Sequence, residues 1–552
     1  MFFKRGISRL STFSHLLPPR PHPMNLDLPS ELYLDFNATS AVLPEAAAAA
    51  RAAMLSAYGN PSSTHALGMR AQALLSQARH RAREVLGAPT GQLLFTSGAT
   101  EGIQTAVLSA LCGLRERRRQ GLSTGQVLLY GATEHKAVPE ALKHWCRVLG
   151  LDFEVRALPV DARGRHDLLA LRAALPQLGL LCTMAANNET GVVSDLAGIE
   201  AVLEEADSPA LWLVDGVQAL GKLKLNLAAS RIDYAPFSGH KLHAPKGVGL
   251  LYVREGSPFT PLIAGGGQEG GARSGTENMP GIAALGAVLA ALQRGDTFCP
   301  PARLAAYRAR VWQALQAAFP GVVLNAALED SLPTTLNFSW PGVPAQRLMG
   351  ALEAAGLMVS AGSACSAAQA KPSAVLAAMG WPASRSTASV RLSLGLLVDE
   401  AFVDQVCERL LACGAALQRA GMVQDEQATP VPAGLDEAAC VAPEALLDWL
   451  ARHPQARLVD VRDPHEHLAS GLTRMAGRPV QSVPLSELAQ VLPAWLGASS
   501  PLLFLCRSGA RSQRAAAQAL ACGHAEVGQL TGGLVALAGL AQQGSAAMPQ
   551  SR

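Results

Sequence analysis

The chain has 552 residues, of which 49% are hydrophobic and 16% charged, and its formal net charge is +3. Such a length predicts two or three domains, and such a composition predicts soluble α/β domains with large cores and excludes a disordered chain. The near-balanced charge gives no basis for direct nucleic-acid binding or for attraction to an anionic membrane, and the longest apolar run, residues 281–292, is too short to cross a bilayer.

Ten cysteines are scattered along the chain without a Cys-x-x-Cys pair. In a chain this long that pattern predicts no metal site and no disulfide framework, and it points to a reducing compartment such as the bacterial cytoplasm. Residues 1–23 carry Lys4, Arg5, Arg9 and Arg20 and no acid, which fits either a mitochondrial targeting segment or an upstream extension with Met24 as the working start. The Ala-rich, Lys-poor composition favours the extension. Residues 1–30 are expected to lack fixed structure, because the folded pattern starts at Leu32-Tyr-Leu-Asp35.

Residues 32–35 read as a short strand, 46–57 and 71–86 as helices, and 93–96 as a strand. Ser97-Gly-Ala-Thr-Glu101 then turns into a helix expected over 100–114. A Gly/Ser turn between strand and helix presents free backbone N–H groups at the positive end of a helix dipole, the geometry of a phosphate site. Taken alone, the same turn is an ordinary helix start in many α/β proteins. Further strands are expected at 127–130, ending in Thr133-Glu-His135, at 178–183, ending in Asn187-Asn-Glu-Thr-Gly191, and at 211–214, ending in Asp215-Gly-Val-Gln218. Strands followed by helices, with polar residues at the strand C-termini, describe a mostly parallel sheet that binds its ligand at that end. A lone histidine is usually a satisfied core residue, but His135 stands in register with the other polar strand ends, which favours ring stacking or acid/base work.

Tyr234-Ala-Pro-Phe-Ser-Gly-His-Lys241 follows, before a last apolar run at 247–253. An acid and a lysine at the ends of successive strands are the pair that a pyridoxal 5′-phosphate (PLP) site needs. The amine forms a Schiff base with the aldehyde, and the carboxylate keeps the pyridine nitrogen protonated so that the ring accepts electrons. Any single lysine is more often a solvated charge; Asp215, Ser238 and His240 stand where a ring nitrogen and a phosphate would be met.

A glycine-rich loop spans 265–276, and helices are expected at 281–292 and 304–319. Residues 336–339 and 359–365 read as strand and loop of a smaller α/β domain. Ser389-Val-Arg-Leu-Ser-Leu-Gly395 is a strand with one arginine among apolar neighbours. A buried arginine needs an anionic partner, and a substrate carboxylate and a structural salt bridge both satisfy it. Residues 421–437 read as a linker. Beyond it come a helix at 443–451, a strand at 457–461, a strand at 502–505, and Cys506-Arg-Ser-Gly-Ala-Arg-Ser512 opening a helix to 521. A cysteine at a helix N-terminus, with backbone amides turned inward and Arg507 and Arg511 adding charge, should be a stabilised thiolate.

With these stretches in hand, the first 420 residues resemble a class I (NifS/IscS-like) cysteine desulfurase. The match runs through Tyr33-Leu-Asp-Phe-Asn-Ala-Thr39, Thr96-Ser-Gly-Ala-Thr-Glu101, Thr133-Glu-His-Lys-Ala137, Asn187-Asn-Glu-Thr-Gly191, Val214-Asp-Gly-Val-Gln218, Ser238-Gly-His-Lys241, Arg273-Ser-Gly-Thr276, Ser363-Ala-Cys-Ser366 and Arg391-Leu-Ser-Leu-Gly395. Residues 440–545 resemble a rhodanese domain through Val459-Asp-Val-Arg462, the Cys506 loop and Leu530-Thr-Gly-Gly533. The usual family pattern is missing between 468 and 484.

The resemblance implies an α/β chain. A PLP-dependent transferase fold of type I would occupy 31–420, with a large mostly parallel-sheet part at 45–280 and a small part made of 31–44 and 281–420. A small α/β rhodanese-like domain would follow at 438–545. It implies that Lys241 holds the cofactor, that Asp215 meets the pyridine nitrogen and Gln218 the phenolic oxygen, and that His135 stacks on the ring. Ala99, Thr100, Ser238, Gly239 and His240 would receive the phosphate, and Thr276 would reach the phosphate of a second subunit, implying a homodimer. Asn188 and Arg391 would hold the carboxylate of L-cysteine, and Cys365 would be the nucleophile. Gly216 stands where alanine is usual, and Ser40-Ala41 replaces a Thr-Thr/Pro ending.

The implied reaction turns L-cysteine into L-alanine and leaves a persulfide on Cys365. Its sulfur is expected to pass to the loop of Cys506, Arg507, Ser508, Gly509, Ala510 and Arg511, and from there to acceptor proteins such as an iron–sulfur scaffold or a tRNA-thiolation factor. The alternatives are another type I PLP enzyme, such as an aminotransferase or a selenocysteine lyase, with a non-catalytic rhodanese-like docking module. Phosphatase loops of this kind have a longer spacing than the four residues between Cys506 and Arg511, so the smaller cradle suits sulfur.

Overall fold

The computed structural model describes residues 31–361, 372–420, 439–496 and 500–546, and these divide into two compact units that meet in sequence at residues 415–416. Cys365, expected as the nucleophile, the linker expected at 421–437 and the segment 1–30 lie outside the described residues.

The strands of the first unit are β1 (Leu32–Tyr33), β2 (Gln92–Thr96), β3 (Val127–Gly131), β4 (Glu154–Leu158), β5 (Leu178–Met184), β6 (Leu211–Asp215), β7 (Tyr234–Ser238), β8 (Gly249–Val253), β9 (Val323–Leu324), β10 (Thr335–Ser339), β11 (Leu357–Met358), β12 (Ser360–Ala361) and β13 (Ser389–Ser393). Seven form one sheet in the order β2-β8-β7-β6-β5-β3-β4, parallel except for β8, which runs antiparallel to both neighbours. Every residue of β5, β6, β7 and β8 is buried, as continuous apolar runs covered on both faces require.

The helix Ala99–Arg119 places Ile103, Ala106, Val107, Ala110, Leu111 and Leu114 in one core with Leu94, Leu128, Leu180, Leu213 and Leu251 of the sheet. The spacing is that of a single helical face, and each fully buried leucine contributes roughly 2 kcal/mol. This helix runs past the expected 114 because Glu116 and the basic last turn Arg117, Arg118 and Arg119 continue it without an apolar period, and cations favour the negative end of the dipole. The strand β4 was not expected from the sequence. It is an edge strand with mostly solvent-facing residues, so no buried alternation marks it.

A second sheet, in the order β12-β13-β10-β9, is antiparallel and sets Arg391 opposite both Asn337 and Ser360. The segment around Leu32–Tyr33 pairs in parallel with β11.

The second unit has a six-stranded sheet made of β14 (Cys440–Val441), β15 (Arg457–Asp460), β16 (Arg474–Met475), β17 (Arg478–Ser482), β18 (Leu502–Leu505) and β19 (Val527–Leu530), in the order β14-β19-β18-β15-β17-β16. One core, with Leu458, Leu503 and Leu530, covers one face, and another, with Val459, Phe504 and Leu492, covers the other. Within the stretch at 468–484 that lacks the family pattern, residues 474–482 fold as a hairpin, β16–β17, around Ala476 and Gly477. Both residues have positive φ, +48° and +76°, as a two-residue hairpin turn demands.

Candidate active site

The strand ends of the large sheet open into one cavity of about 740 Å³. Its lining includes Ala99, Thr100, His135, Asn188, Asp215, Gln218, Ser238, His240, Lys241 and Arg391, so ten residues proposed from sequence stand together. Gly239 is buried directly beside this lining, and Thr276 is exposed and outside it.

Lys241 follows β7 on a single 3₁₀ turn. Its Nζ donates to the carbonyls of Asn37 and Ala38, both at 2.7 Å. Burial, aided by the Arg391 charge and opposed by Asp35 and Asp215, brings its pKa down to about 8. The segment at 37–43 that receives the lysine is stitched to the turn beyond it. Ser40 Oγ donates to the His240 carbonyl at 2.8 Å and accepts from the His243 amide at 2.6 Å, and His243 Nδ1 lies 2.8 Å from the Ala41 carbonyl. Ser40-Ala41 thus departs from the family pattern without losing the connection.

Asp215 ends β6, with one carboxylate oxygen accepting from the Val217 amide at 2.9 Å. Burial raises its pKa to about 6, against the pull of Val217 and Lys241. Such an acid lacks a full counter-charge, which a protonated ring nitrogen would supply. The Gly216 beside it is required here, since a Cβ would lie 2.2 Å from the Phe237 ring.

At the other end of the cavity the helix Ala99–Arg119 begins after Gly98, and Ser238 Oγ lies 3.7 Å from where a Gly98 Cβ would sit. The register pairs Gly249 with both Thr96 and Ser238. A Cβ on Gly249 would come within 2.7 Å of Gly98 Cα, so glycine permits this close approach. His240 Nδ1 lies 3.1 Å from Thr39 Oγ1, and burial lowers the His240 pKa to about 4. His135 borders the mouth; loss of water, then Lys241 and Lys136, lower its pKa and favour the neutral ring.

Arg391 is 3% exposed. Its guanidinium donates to Asp35 Oδ1 at 2.6 Å, Ser360 Oγ at 2.9 Å and the Asn188 carbonyl at 2.8 Å. Of the two partners open from sequence, the structural ion pair is the one formed in this structure, and the arginine still borders the cavity.

Several residues of the site were missed by the sequence reading. Asn37 supplies the carbonyl for Lys241 and sends its side-chain amide to Thr335 Oγ1. Asn187 shapes its loop by accepting from the amides of Glu189 and Thr190. Burial, then the Asp215 charge, push the Glu134 carboxyl well above the usual carboxylate range. It shares the space beside Gly131 with His166, whose pKa burial lowers to about 4; a Cβ on Gly131 would lie 2.4 Å from His166 Nε2 and 3.0 Å from Glu134 Oε1. The one legible signal was position: Asn37, Glu134 and Asn187 lie inside the quoted motifs.

In the second unit Cys506 follows β18 and is 1% exposed. Its Sγ accepts from the amides of Gly509 and Ser512, both at 3.2 Å, and lies 3.4 Å from Ser512 Oγ. Ala510 opens the helix Ala510–Ala521, Ser508 is exposed, and desolvation, then Arg511, lower the Arg507 pKa. Arg511 is turned to Glu466, with bonds of 2.5 and 2.8 Å. Thr531-Gly-Gly533 clamps the loop from behind, the Leu534 amide donating to the Cys506 carbonyl at 2.9 Å.

Residues 32–406 match the family described as aminotransferase class-V, and residues 442–539 match the rhodanese-like domain. Cysteine desulfurase 2 of Trichormus variabilis is 40% identical over 69% of this chain and 92% of its own length. The IscS cysteine desulfurase of Anaeromyxobacter dehalogenans is 37% identical over 68% and 90%. Among solved structures, a NifS-like protein aligns over 70% of this chain and all of its own, at 31% identity and a TM-score of 0.63. SspA in complex with cysteine aligns over 66% and 99%, at 27% identity and a TM-score of 0.56.

Proposed function

The chain belongs to the class-V aminotransferase family as a PLP-dependent cysteine desulfurase carrying a C-terminal rhodanese-like domain, and on that premise we propose that it passes the sulfur of L-cysteine from Cys365 to Cys506. The observation that carries the desulfurase part of the reading is the convergence of Lys241, Asp215, Arg391 and a helix N-terminus on one cavity; the relay rests on the Cys506 loop.

The residues present fit the cofactor. Asp215 is a buried carboxylate short of a cation, and the helix that begins at Ala99 would turn its first amides toward the lining that Ser238 and His240 share. When bound, PLP supplies the electron sink for breaking bonds at the cysteine α-carbon. Asp215 would hold the ring nitrogen, Gln218 the phenolic oxygen, and His135 the ring face. Ala99, Thr100, Ser238, Gly239 and His240 would hold the phosphate. Arg391 and Asn188 would hold the substrate carboxylate. Lys241, with its pKa near 8, is suited to take the α-proton once displaced from the cofactor.

The Cys365 thiolate then attacks the substrate sulfur; the carbon–sulfur bond breaks, the carbon is protonated, and alanine leaves. The Cys506 thiolate in turn attacks the outer sulfur of the Cys365 persulfide, a sulfur–sulfur bond is exchanged, and Cys365 departs as thiolate. Two backbone amides on Cys506 Sγ support an anionic sulfur there. The final acceptor would be a protein thiol such as that of an iron–sulfur scaffold or a thiolation factor. Thr276, exposed and outside the cavity lining, would serve the phosphate of a partner subunit in the homodimer that the family resemblance implies. The reducing, cytoplasmic setting rests on the ten scattered cysteines of the sequence.

The test is persulfide mapping. The cofactor-loaded protein is incubated with L-cysteine, trapped with an alkylating agent and read by mass spectrometry, alongside Cys365→Ala. Labelling of both cysteines in the parent and neither in the variant is expected. Alanine release with Cys506 never labelled would end the relay. Absence of both alanine and persulfide would end the desulfurase reading.

A further inference from the structure

Beyond Asp215 the chain does not run straight into a helix. It coils through a tight turn in which the Ala219 and Leu220 amides both donate to the Gly216 carbonyl, and the Lys222 and Leu223 amides to the Ala219 carbonyl. The coil returns Lys222 to the back of Gln218, and its Nζ donates to Gln218 Oε1 at 2.6 Å. The Gln218 Nε2 then donates to the Asn37 carbonyl at 3.0 Å, the same oxygen that accepts from Lys241 at 2.7 Å. The three side chains therefore form one ordered series, Lys222 to Gln218 to the carbonyl that also holds Lys241.

The direction of this series is fixed by chemistry. The Asn37 carbonyl only accepts, so the Gln218 amide must offer it an N–H, which leaves the amide oxygen for Lys222. A hydrogen bond from a charged donor also polarises the amide and strengthens its N–H groups as donors.

Lys222 has no ion-pair partner among the described residues. The charged groups around it come from four directions. Lys241 lies beyond β7, and Arg391 lies on β13; these two, after desolvation, bring the Lys222 pKa down to about 7. Asp215 lies at the end of β6, and His243, whose pKa burial lowers against the Ala41 carbonyl with the Lys222 charge adding to it, lies on the turn beyond Lys241. On the far side, Glu84 and Lys224 border a separate cavity of about 400 Å³ that Lys222 also lines. Lys222 forms no ion pair with either of these carboxylates, and the cofactor's phenolic oxygen, if met by Gln218, would supply an anion to the series.

We propose that Lys222 is a positioning residue for the cofactor: through the Gln218 amide it aims an N–H at the phenolic oxygen and supplies positive charge behind it. The proposal rests on the reading that Gln218 meets that oxygen. Positive charge there stabilises the phenolate and lowers the affinity of the neighbouring Schiff-base nitrogen for its proton.

The test uses full-length, cofactor-loaded protein, without substrate for the spectra and with L-cysteine for steady-state kinetics. The pH midpoint of the cofactor's visible absorbance band is measured for the parent and for Lys222→Met, Lys222→Arg, Gln218→Leu and the double variant Lys222→Met/Gln218→Leu. Lys222→Met is expected to raise the midpoint by about one unit, a tenfold gain in proton affinity. It should lower kcat more than it changes KM, and Lys222→Arg should restore most of both. The double variant should shift no further than Gln218→Leu. A Lys222→Met midpoint equal to that of the parent, with Gln218→Leu shifted, overturns the role of Lys222 and leaves that of Gln218 standing. No shift in either variant overturns the Gln218 reading itself. Should Lys222→Met fail to fold or to retain the cofactor, Lys222→Gln carries the same comparison, since it removes the charge and keeps an N–H donor; an unshifted midpoint there overturns the proposal equally.

Discussion

Asp35 Oδ1 sits 2.6 Å from Arg391 Nη2, which gives the arginine proposed to bind substrate an internal carboxylate to hold. Asp35 itself is tied to Ser360, whose hydroxyl donates to it at 2.8 Å. A substrate carboxylate that used the guanidinium fork would have to share it with Asp35 or displace it. Asp35→Asn is therefore expected to remove the carboxylate charge 2.6 Å from the buried guanidinium, lowering the melting temperature of the substrate-free protein by the equivalent of about 3 kcal/mol. The rise in melting temperature on adding a non-reacting cysteine analogue should be larger than in the parent. An unchanged ligand-induced rise would show that Asp35 and substrate do not compete. Arg391→Met should raise KM for L-cysteine roughly 10- to 100-fold, as loss of a charge-assisted pair of hydrogen bonds predicts.

Asp215 illustrates a functional group that costs stability. Its folded-state pKa, raised to about 6, lies above its unfolded value. Its contribution is therefore most favourable below about pH 4 and is lost as pH rises through 6, by as much as ~3 kcal/mol. Cofactor-free Asp215→Asn should melt higher than the cofactor-free parent at pH 7.5, and the difference should vanish near pH 4. The same variant should produce no alanine. Equal melting at pH 7.5 would show that Asp215 has found a counter-charge without the cofactor.

His166 carries the opposite sign on the acid side. It is a base whose pKa falls to about 4 on burial, so the unfolded chain takes up its proton first. Stability is full above about pH 6.5 and is lost as pH falls towards 4, by as much as ~3 kcal/mol. Chemical denaturation of the parent and of His166→Leu between pH 7 and pH 4.5 should show a shallower decline in the variant. Parallel declines would mean that a partner for the imidazole enters the space beside Gly131.

The Cys506 loop depends on a glycine behind it. Gly533 has φ +64°, and a Cβ there would lie 2.4 Å from the Arg507 carbonyl oxygen. Gly533→Ala should displace the loop, at a cost of about 1–3 kcal/mol to this unit, and should reduce labelling of Cys506 several-fold while alanine release continues at the parental rate. Undiminished Cys506 labelling would show that the clamp is dispensable.

Much of the first unit was legible in one dimension. Apolar runs of strand length, each ending in a polar cluster, located β2, β3, β5, β6 and β7 and put Asp215 and Lys241 at one edge of a sheet, because a parallel strand must end where its neighbours end. The Cys506 loop was legible for a similar reason, as a strand end running into a helix start. Edge elements were not: β4 is largely exposed and the β16–β17 hairpin turns on Ala476 and Gly477, and neither leaves an apolar period to read. The partners of the reactive groups were also hidden. Asp35 and Arg391 are separated by 356 residues, Asn37 and Lys241 by 204. The sequence by itself determined which chemical groups are present and that strand ends gather them, since covalent spacing and burial pattern are local. Only the tertiary structure decided which carbonyl holds the lysine, which carboxylate occupies the arginine and which cation backs Gln218, because hydrogen bonds and charge pairs are set by distances of 3 Å that no sequence separation encodes.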